Sequence, residues 1–116
     1  MTSVLLLTND LAVSSRVAGA ASAVGASLEV VRTPDELMAR AAGRPIILDL
    51  ESPGVDPRSL APQLRSLQPP PSAIVAFAPH VRGESIAAAR ESGCDEVLSR
   101  GRFFAELVEI LHRLAK

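Results

Sequence analysis

The sequence has no tryptophan, no tyrosine, one cysteine and one lysine, and these shortages narrow the classes of protein that it can encode. The single Cys94 excludes an internal disulfide bond and fits a protein that works in the reducing cytoplasm. With 12 basic and 13 acidic residues the formal net charge is −1, so no overall positive field favours nucleic acid or an anionic membrane as a partner. No apolar run approaches the ~20 residues that cross a bilayer, and no basic region precedes an apolar N-terminal stretch, so neither a membrane span nor a signal peptide is predicted.

The sequence signatures of common catalytic sites are also missing. The Gly-x-Ser-x-Gly turn of hydrolases does not occur, and neither His80 nor His112 has a second histidine or a cysteine at metal-ligand spacing. The chain is therefore not predicted to be an enzyme. Cys94 directly follows a predicted helix that ends at Gly93, which favours a buried structural thiol over a reactive one.

Short apolar runs alternate with segments of helical spacing five times along the chain. The predicted strands are residues 4–7, 28–31, 45–49, 73–77 and 96–98. The segments between and after them carry helix signals, such as Thr33-Pro34-Asp35-Glu36, which combines an N-cap, a proline at the first helical position and a capping-box glutamate. Five strands separated by helices, without a hairpin signal, predict βαβ units and a parallel sheet.

The predicted fold is a doubly wound α/β sandwich. Right-handed crossovers place helices on both faces of a five-stranded parallel sheet, and the flavodoxin-like strand order 2-1-3-4-5 is expected. Two helices should cover one face and three the other. Residues 1–116 are expected to form a single domain, with no room for a separate output domain.

The segment from Pro45 to Asp56 is the most informative part of the chain. Three large apolar residues lead into Asp49, and the turn signal Pro53-Gly54 follows shortly after it. In open α/β sheets, ligands bind in the crevice beyond the carboxyl ends of the strands. The residues that the predicted topology brings to this crevice are Asn9, Asp10, Asp49, Ala78 and Arg100. Asp10 also suits the N-cap of the first helix, and both roles remain open.

Four stretches of the sequence together resemble the response-regulator receiver domain of the CheY-like family. They are Leu7-Thr8-Asn9-Asp10, Leu48-Asp49-Leu50-Glu51-Ser52-Pro53-Gly54, Ala76-Phe77-Ala78 and Gly93-Cys94-Asp95-Glu96-Val97-Leu98-Ser99-Arg100. The Asp-Leu-x-x-Pro-Gly stretch is moderately specific, and the fivefold alternation around it extends the resemblance over essentially the whole chain.

The resemblance implies a function and a set of site residues. Asp49 matches the aspartate that accepts a phosphoryl group from a histidine kinase. Asp10, Asp49 and the backbone carbonyl of Glu51 match the ligands of a Mg²⁺ ion, which neutralises charge during phosphoryl transfer. The family also has a hydroxyl residue after strand 4, a lysine after strand 5 and an aromatic residue on strand 5. Their rearrangement reshapes the surface of the fourth helix, fifth strand and fifth helix.

This chain departs from the family at the positions that operate the switch. Ala78 stands at the hydroxyl position, Arg100 at the lysine position and Val97 at the aromatic position. The only lysine is Lys116, so no nearby lysine can substitute, and a planar guanidinium differs from a compact ammonium. These changes predict a degenerate receiver (a pseudo-receiver) in which Asp49 and Arg100 form an ion pair that fills a disused pocket.

A degenerate receiver is expected to act by binding a signalling partner, independently of phosphorylation. By resemblance to the output face of the family, the predicted partner site is Arg90, Val97, Arg102, Phe103 and Glu106. The first alternative is a conventional single-domain response regulator, phosphorylated on Asp49 by a histidine kinase with Mg²⁺. A remote alternative is a flavodoxin-like FMN-binding protein, in which the polar side chains near the first helix would contact the phosphate of FMN. These are Thr8, Asn9, Ser14 and Ser15. The chain lacks the tryptophan or tyrosine that usually packs on flavin.

Overall fold

A central sheet of five parallel strands organises the computed structural model, which describes residues 3–116. The strands are β1 (Ser3–Leu7), β2 (Ser27–Val31), β3 (Pro45–Asp49), β4 (Ala73–Ala78) and β5 (Glu96–Ser99). Their spatial order is β2-β1-β3-β4-β5 and all neighbouring pairs are parallel, which confirms the predicted topology. Met1 and Thr2, which the domain prediction includes, lie outside the described residues.

Six helices of the described chain cover the two faces of the sheet. They are α1 (Leu11–Ala23), α2 (Pro34–Arg40), α3 (Pro57–Arg65), α4 (Gly83–Ser92), α5 (Arg100–Ala105) and α6 (Leu107–Leu114). The last predicted helix is divided in two at Glu106, so three helices lie on each face instead of the two and three expected. Within residues 3–116, none of these helices combines the length and the apolar content needed to cross a bilayer.

The central strand β3 is buried on both faces, as predicted. Ile46, Ile47 and Leu48 are all 0% exposed, and β3 lies between β1 and β4. Ile46 and Leu48 pack on the side of α2, α3 and α4, whereas Ile47 packs on the side of α1, α5 and α6. A parallel strand covered on both faces is apolar at every position, because neither set of alternating side chains reaches water. Asp49 is therefore the one charged residue in an otherwise apolar, fully buried strand.

Side-chain caps fix where several helices begin. Asp10 accepts hydrogen bonds from the first turn of α1, Thr33 does the same for α2 and Asp56 for α3. Ser99 caps α5, directly after β5. A cap satisfies amide groups that the helix itself leaves unpaired, and so it fixes the residue at which the helix begins. The loop between the strand and the helix therefore ends at the cap. The loops after β1 and β3 are the ones that form the site.

All three aromatic residues of the chain form one cluster on the face of α1, α5 and α6. The rings of Phe77 and Phe103 are stacked, with centroids 4.1 Å apart and planes 8° from parallel. Phe104 meets Phe103 edge-on at a centroid distance of 5.1 Å, and it lies 6.0 Å from Phe77. Aromatic pairs add packing energy beyond the area that they bury, so this cluster anchors α5 to the end of β4.

We expect Phe103→Ala to lower the free energy of unfolding by about 3–5 kcal/mol, because it removes a fully buried ring that stacks on Phe77. Val108→Ala is the control, since Val108 is 54% exposed on α6, and its effect should stay within about 0.5 kcal/mol. Urea unfolding followed by circular dichroism measures both. Equal losses in the two variants would contradict the place of Phe103 in the core.

The thiol of Cys94 is half buried beside the face of α2, α3 and α4. Burial raises its pKa from the ordinary value of 9.0 to about 11, and the nearby Arg65 offsets only part of this rise. At pH 8 we therefore expect the folded chain to react with iodoacetamide about 100-fold more slowly than the urea-unfolded chain, because only the thiolate reacts. Equal rates in the two states would show that burial does not protect this thiol.

Candidate functional site

Asp49 ends the central strand β3 as a buried carboxylate that is only 2% exposed. Its Oδ2 accepts a hydrogen bond of 2.7 Å from the hydroxyl of Thr8, and its Oδ1 accepts one of 3.0 Å from the backbone N–H of Glu51. Thr8 directly follows β1, where Leu7 is in register with Leu48 of β3. A buried charge needs hydrogen bonds or a charged partner, and here the neighbouring strand and the following turn supply them.

Further hydrogen bonds join the loop after β1 to the loop after β3. The backbone N–H of Asn9 donates to Oγ of Ser52 at 2.8 Å, and Ser52 is itself only 7% exposed. The hydroxyl oxygen of Thr8 also accepts from the N–H of Asp10 at 3.1 Å. Thr8 therefore connects the start of the α1 loop to Asp49, and the two loops are held together by side-chain hydrogen bonds.

Asp10 has both of the roles that the sequence left open, because it caps α1 and also lines the cleft. Its Oδ1 accepts from the amides of Ala12 and Val13 at 2.8 and 3.3 Å, which confirms its role as the N-cap of α1. Its Oδ2 lies 3.9 Å from Nη2 of Arg100, and both side chains are partly exposed. A long ion pair between exposed groups contributes little stability, but it places a positive charge at the mouth of the site.

The predicted ion pair between Asp49 and Arg100 is wrong. Within the described chain, none of the ion pairs involves Asp49, and Arg100 faces Asp10 instead. Arg100 is the first residue of α5, because β5 ends one residue earlier at Ser99, and its guanidinium lies 5.5 Å from the ring centroid of Phe104. In place of the guanidinium, a hydroxyl and a backbone amide donate one hydrogen bond to each oxygen of Asp49.

The predicted metal ligands Asp10, Asp49 and Glu51 open onto one cleft of about 170 Å³, together with Arg100. The carboxylates have separate protein partners: Thr8 for Asp49, Arg100 for Asp10, and Arg82, at 3.3 Å, for the side chain of Glu51, whose predicted ligand atom is instead its backbone carbonyl. Across residues 3–116, no group of three histidine, cysteine, aspartate or glutamate side chains is arranged to hold a metal ion. Mg²⁺ demands near-octahedral oxygen ligands, and Asp10 and Asp49 would have to leave their present partners Arg100 and Thr8 to provide them.

The positions expected to be degenerate lie at the ends of the neighbouring strands. Ala78 ends β4, is fully buried and is in register with Ser99, while Val97 is 5% exposed on β5. The hydroxyl of Ser99 accepts a hydrogen bond from the N–H of Arg102 at 3.3 Å, so it caps α5. Sequence reasoning did not assign this role to Ser99, nor the carboxylate-binding role to Thr8. Both residues are hydroxyl side chains that directly follow a buried apolar run.

A groove of about 460 Å³ lies between α4, β5 and α5. Its lining includes His80, Ile86, Arg90, Val97, Ser99 and Arg102. Arg90 donates to the backbone carbonyl of Val97 at 3.3 Å, and Arg102 pairs with Glu106 at 2.7 Å, which raises the pKa of Arg102. The structure thus brings together Arg90, Val97 and Arg102 of the predicted partner site, with Glu106 beside them.

Phe103 does not belong to this surface, so its prediction as a partner-binding residue is corrected. It is 0% exposed and stacks on Phe77, because the apolar stripe of α5 faces the sheet. The partly exposed ring is its neighbour Phe104, which lies under the guanidinium of Arg16 at 3.8 Å from the ring centroid. Two adjacent phenylalanines do not reveal from sequence alone which ring faces the core.

Solved structures of receiver domains share this architecture over nearly the whole chain. The receiver domain of a sensor histidine kinase from Pseudomonas aeruginosa, whose structure has a magnesium ion coordinated in the active-site cleft, matches with a TM-score of 0.80 and 17% identity, covering 98% of this chain and 97% of that one. The chemotaxis response regulator CheY4 of Vibrio cholerae matches with a TM-score of 0.78 and 18% identity, covering 98% of each chain. The receiver domain of NtrX from Brucella abortus matches with a TM-score of 0.76 and 19% identity, covering 97% of each chain.

No protein-family model matches this sequence, and no curated protein sequence matches it either. The similarity therefore lies in the three-dimensional arrangement of the strands and helices, which agrees with the strand order 2-1-3-4-5. The chain has the CheY-like receiver fold of response regulators.

Proposed function

We propose that this chain is a degenerate receiver domain that acts in cytoplasmic signalling by binding a protein partner, independently of phosphorylation. The receiver fold supports a role in signal transduction. The observation that carries the finer proposal is the state of Asp49, whose two carboxylate oxygens are already occupied by the hydroxyl of Thr8 and the amide of Glu51. Hydrogen bonds to both oxygens stabilise the carboxylate anion and so lower its nucleophilicity.

The neighbouring positions also lack the groups that would respond to a phosphoryl group. Ala78 has no hydrogen-bond donor, and Val97 has no ring whose rotamer could change. Arg100 is the nearest cation of the cleft, but it faces Asp10. A ligand shifts a conformational equilibrium only through contacts that differ between the two states. With those contacts missing, the groove between α4, β5 and α5 should keep one arrangement.

The groove between α4, β5 and α5 is the proposed partner site. His80, Arg90 and Arg102 contribute basic groups to it, Ile86 and Val97 contribute apolar surface, and no acidic residue belongs to its described lining. Arginine next to apolar surface is typical of residues that dominate protein interfaces. The partner that complements this lining is a protein segment that presents acidic side chains around an apolar anchor.

The main alternative is a conventional receiver that is phosphorylated on Asp49 by a histidine kinase with Mg²⁺. Asp49 ends β3 at a cleft that also receives Asp10 and Glu51, as this alternative requires. It further requires that an oxygen of Asp49 form a covalent bond to the incoming phosphorus, which weakens the hydrogen bond that Asp49 accepts from Thr8. The remote FMN alternative loses support, because the hydroxyls of Thr8 and Ser14 are already used inside the chain.

We expect beryllofluoride with Mg²⁺, which mimics a phosphoryl group on aspartate, to leave the groove unchanged. Amide NMR shifts of Val97 and Arg102 should stay at their starting values, because the hydrogen bonds described for Asp49 involve Thr8 and Glu51 and none of the groove residues. Asp49→Asn is the control that separates binding at Asp49 from binding elsewhere. Shifts that reach Val97 and Arg102 in the wild type, and disappear in Asp49→Asn, would favour the conventional receiver.

We expect Arg90→Glu to weaken partner binding by about tenfold or more, because it places a negative charge beside the acidic partner. Asp49→Asn should leave binding nearly unchanged. Arg32→Glu is the matched charge reversal, since Arg32 is exposed at β2, the opposite edge of the sheet from β5. The comparison uses the immobilised chain and quantitative mass spectrometry of the proteins that it retains.

The opposite pattern of retention would contradict the proposed partner site. Proteins that Asp49→Asn fails to retain, but Arg90→Glu retains, would place the partner at the cleft rather than at the groove. Arg102→Glu provides a second test of the groove, although it also breaks the pair with Glu106.

A further inference from the structure

We propose that the cleft is stabilised without a divalent cation, because the hydroxyl of Thr8 and the guanidinium of Arg100 have taken the place of the metal. This inference deepens the proposed function and rests on it, since phosphoryl transfer to Asp49 would require a bound Mg²⁺ to neutralise the incoming charge. Three acids open to the cleft region, and each has a separate partner within the chain. The three partners follow three different strands: Thr8 lies directly after β1, Arg82 lies between β4 and α4, and Arg100 begins α5 directly after β5.

The hydrogen bonding of Thr8 fixes the direction of its proton. A threonine hydroxyl has one proton to donate and two lone pairs that accept. The N–H of Asp10 donates to this oxygen at 3.1 Å, so the hydroxyl proton is free to point to Asp49, 2.7 Å away. A valine would fill the same space at the end of β1 without providing the donor. Thr8 therefore donates to Oδ2 of Asp49, whereas the amide of Glu51 donates to Oδ1.

Arg100 provides beside Asp10 the positive charge that a metal would otherwise provide, and Arg82 pairs with the side chain of Glu51 at the edge of the cleft. Arg100 faces Asp10 at 3.9 Å and Arg82 faces Glu51 at 3.3 Å, which leaves the three acids and two arginines with a net charge of −1. Arg100 also belongs to the wall of the cleft, where its charge repels a cation. A Mg²⁺ ion would have to displace Arg100 and replace the bond from Thr8 at the same time.

The loops give the acids little freedom to rearrange around a metal. Asp10 is held as the cap of α1 by two amides, and the amide of Asn9 is bound to Ser52 in the opposite loop. Moving Asp10 towards Asp49 would break the cap, and moving the loops apart would break the bond from Asn9. Octahedral coordination tolerates little distortion, so these constraints act against Mg²⁺.

Restoring a metal response by mutation tests the proposal. The double variant Thr8→Val with Arg100→Ala frees Oδ2 of Asp49 and Oδ2 of Asp10, while Thr8→Ser with Arg100→Lys keeps the donor and the charge. Each protein is titrated with MgCl₂, and both the melting temperature and the amide shifts of Asp10 and Glu51 are recorded. We expect the wild type and the conservative variant not to respond, and the double variant to bind Mg²⁺ at least about tenfold more tightly.

Loss of the buried hydrogen bond should also raise the unfolding equilibrium constant of Thr8→Val by roughly tenfold. Should the double variant not fold, Thr8→Ser with Arg100→Ala replaces it at raised MgCl₂, because it removes the guanidinium, whose side chain is 38% exposed, and keeps a smaller hydroxyl that can turn away from Asp49. Amide shifts at Asp10 and Glu51 in the Mg²⁺-treated wild type would overturn the proposal, and so would a freed variant that ignores Mg²⁺. Partner retention by the wild type and Asp49→Asn is measured separately, so a failure here is distinguishable from a failure of the proposed function.

Discussion

The buried carboxylate of Asp49 is the constraint on which the site depends. It ends a strand that is covered on both faces, and an ionised group in such a place must be bound by donors or by a cation. The fold meets this need with the hydroxyl of Thr8 from the adjacent strand and the amide of Glu51 from the following turn. The consequence reaches beyond Asp49, because Thr8 also binds the amide of Asp10 and so fixes the start of α1.

Hydrophobic patterning was enough to predict the sheet. Continuous apolar runs, caps and glycines at loops define parallel strands that are buried on both sides, and only a few topologies satisfy them. The strand order and the full burial of Ile46, Ile47 and Leu48 were predicted correctly for this reason. The division of the last helix at Glu106 was not predicted, since the apolar stripe continues across it and no proline or glycine marks the break.

The cleft was harder to predict, because it depends on side-chain direction at single positions. β5 ends at Ser99, one residue later than predicted, and Arg100 begins α5 and faces Asp10 rather than Asp49. The same uncertainty affected Phe103 and Phe104, which are adjacent in sequence but point to the core and towards Arg16 respectively. The sequence identified the acids that gather at the cleft but not which donor each acid would receive.

A receiver fold with an internally satisfied cleft is a scaffold whose useful surface lies elsewhere. The groove between α4, β5 and α5 is basic and partly apolar, and within the described residues it shares no hydrogen bond with Asp49. Phe103 and Phe77, which stack in the core, belong to the opposite side of the sheet from α4. This separation between cleft and groove is what a constitutive binding module requires.

A crystal structure of the protein, from crystals grown in a high concentration of MgCl₂, tests most directly the central claim that the cleft binds no Mg²⁺. The account predicts that Oγ1 of Thr8 remains about 2.7 Å from Oδ2 of Asp49 and that Arg100 remains beside Asp10. A magnesium ion bound between Asp10 and Asp49, with the hydroxyl of Thr8 displaced from the carboxylate, would contradict it.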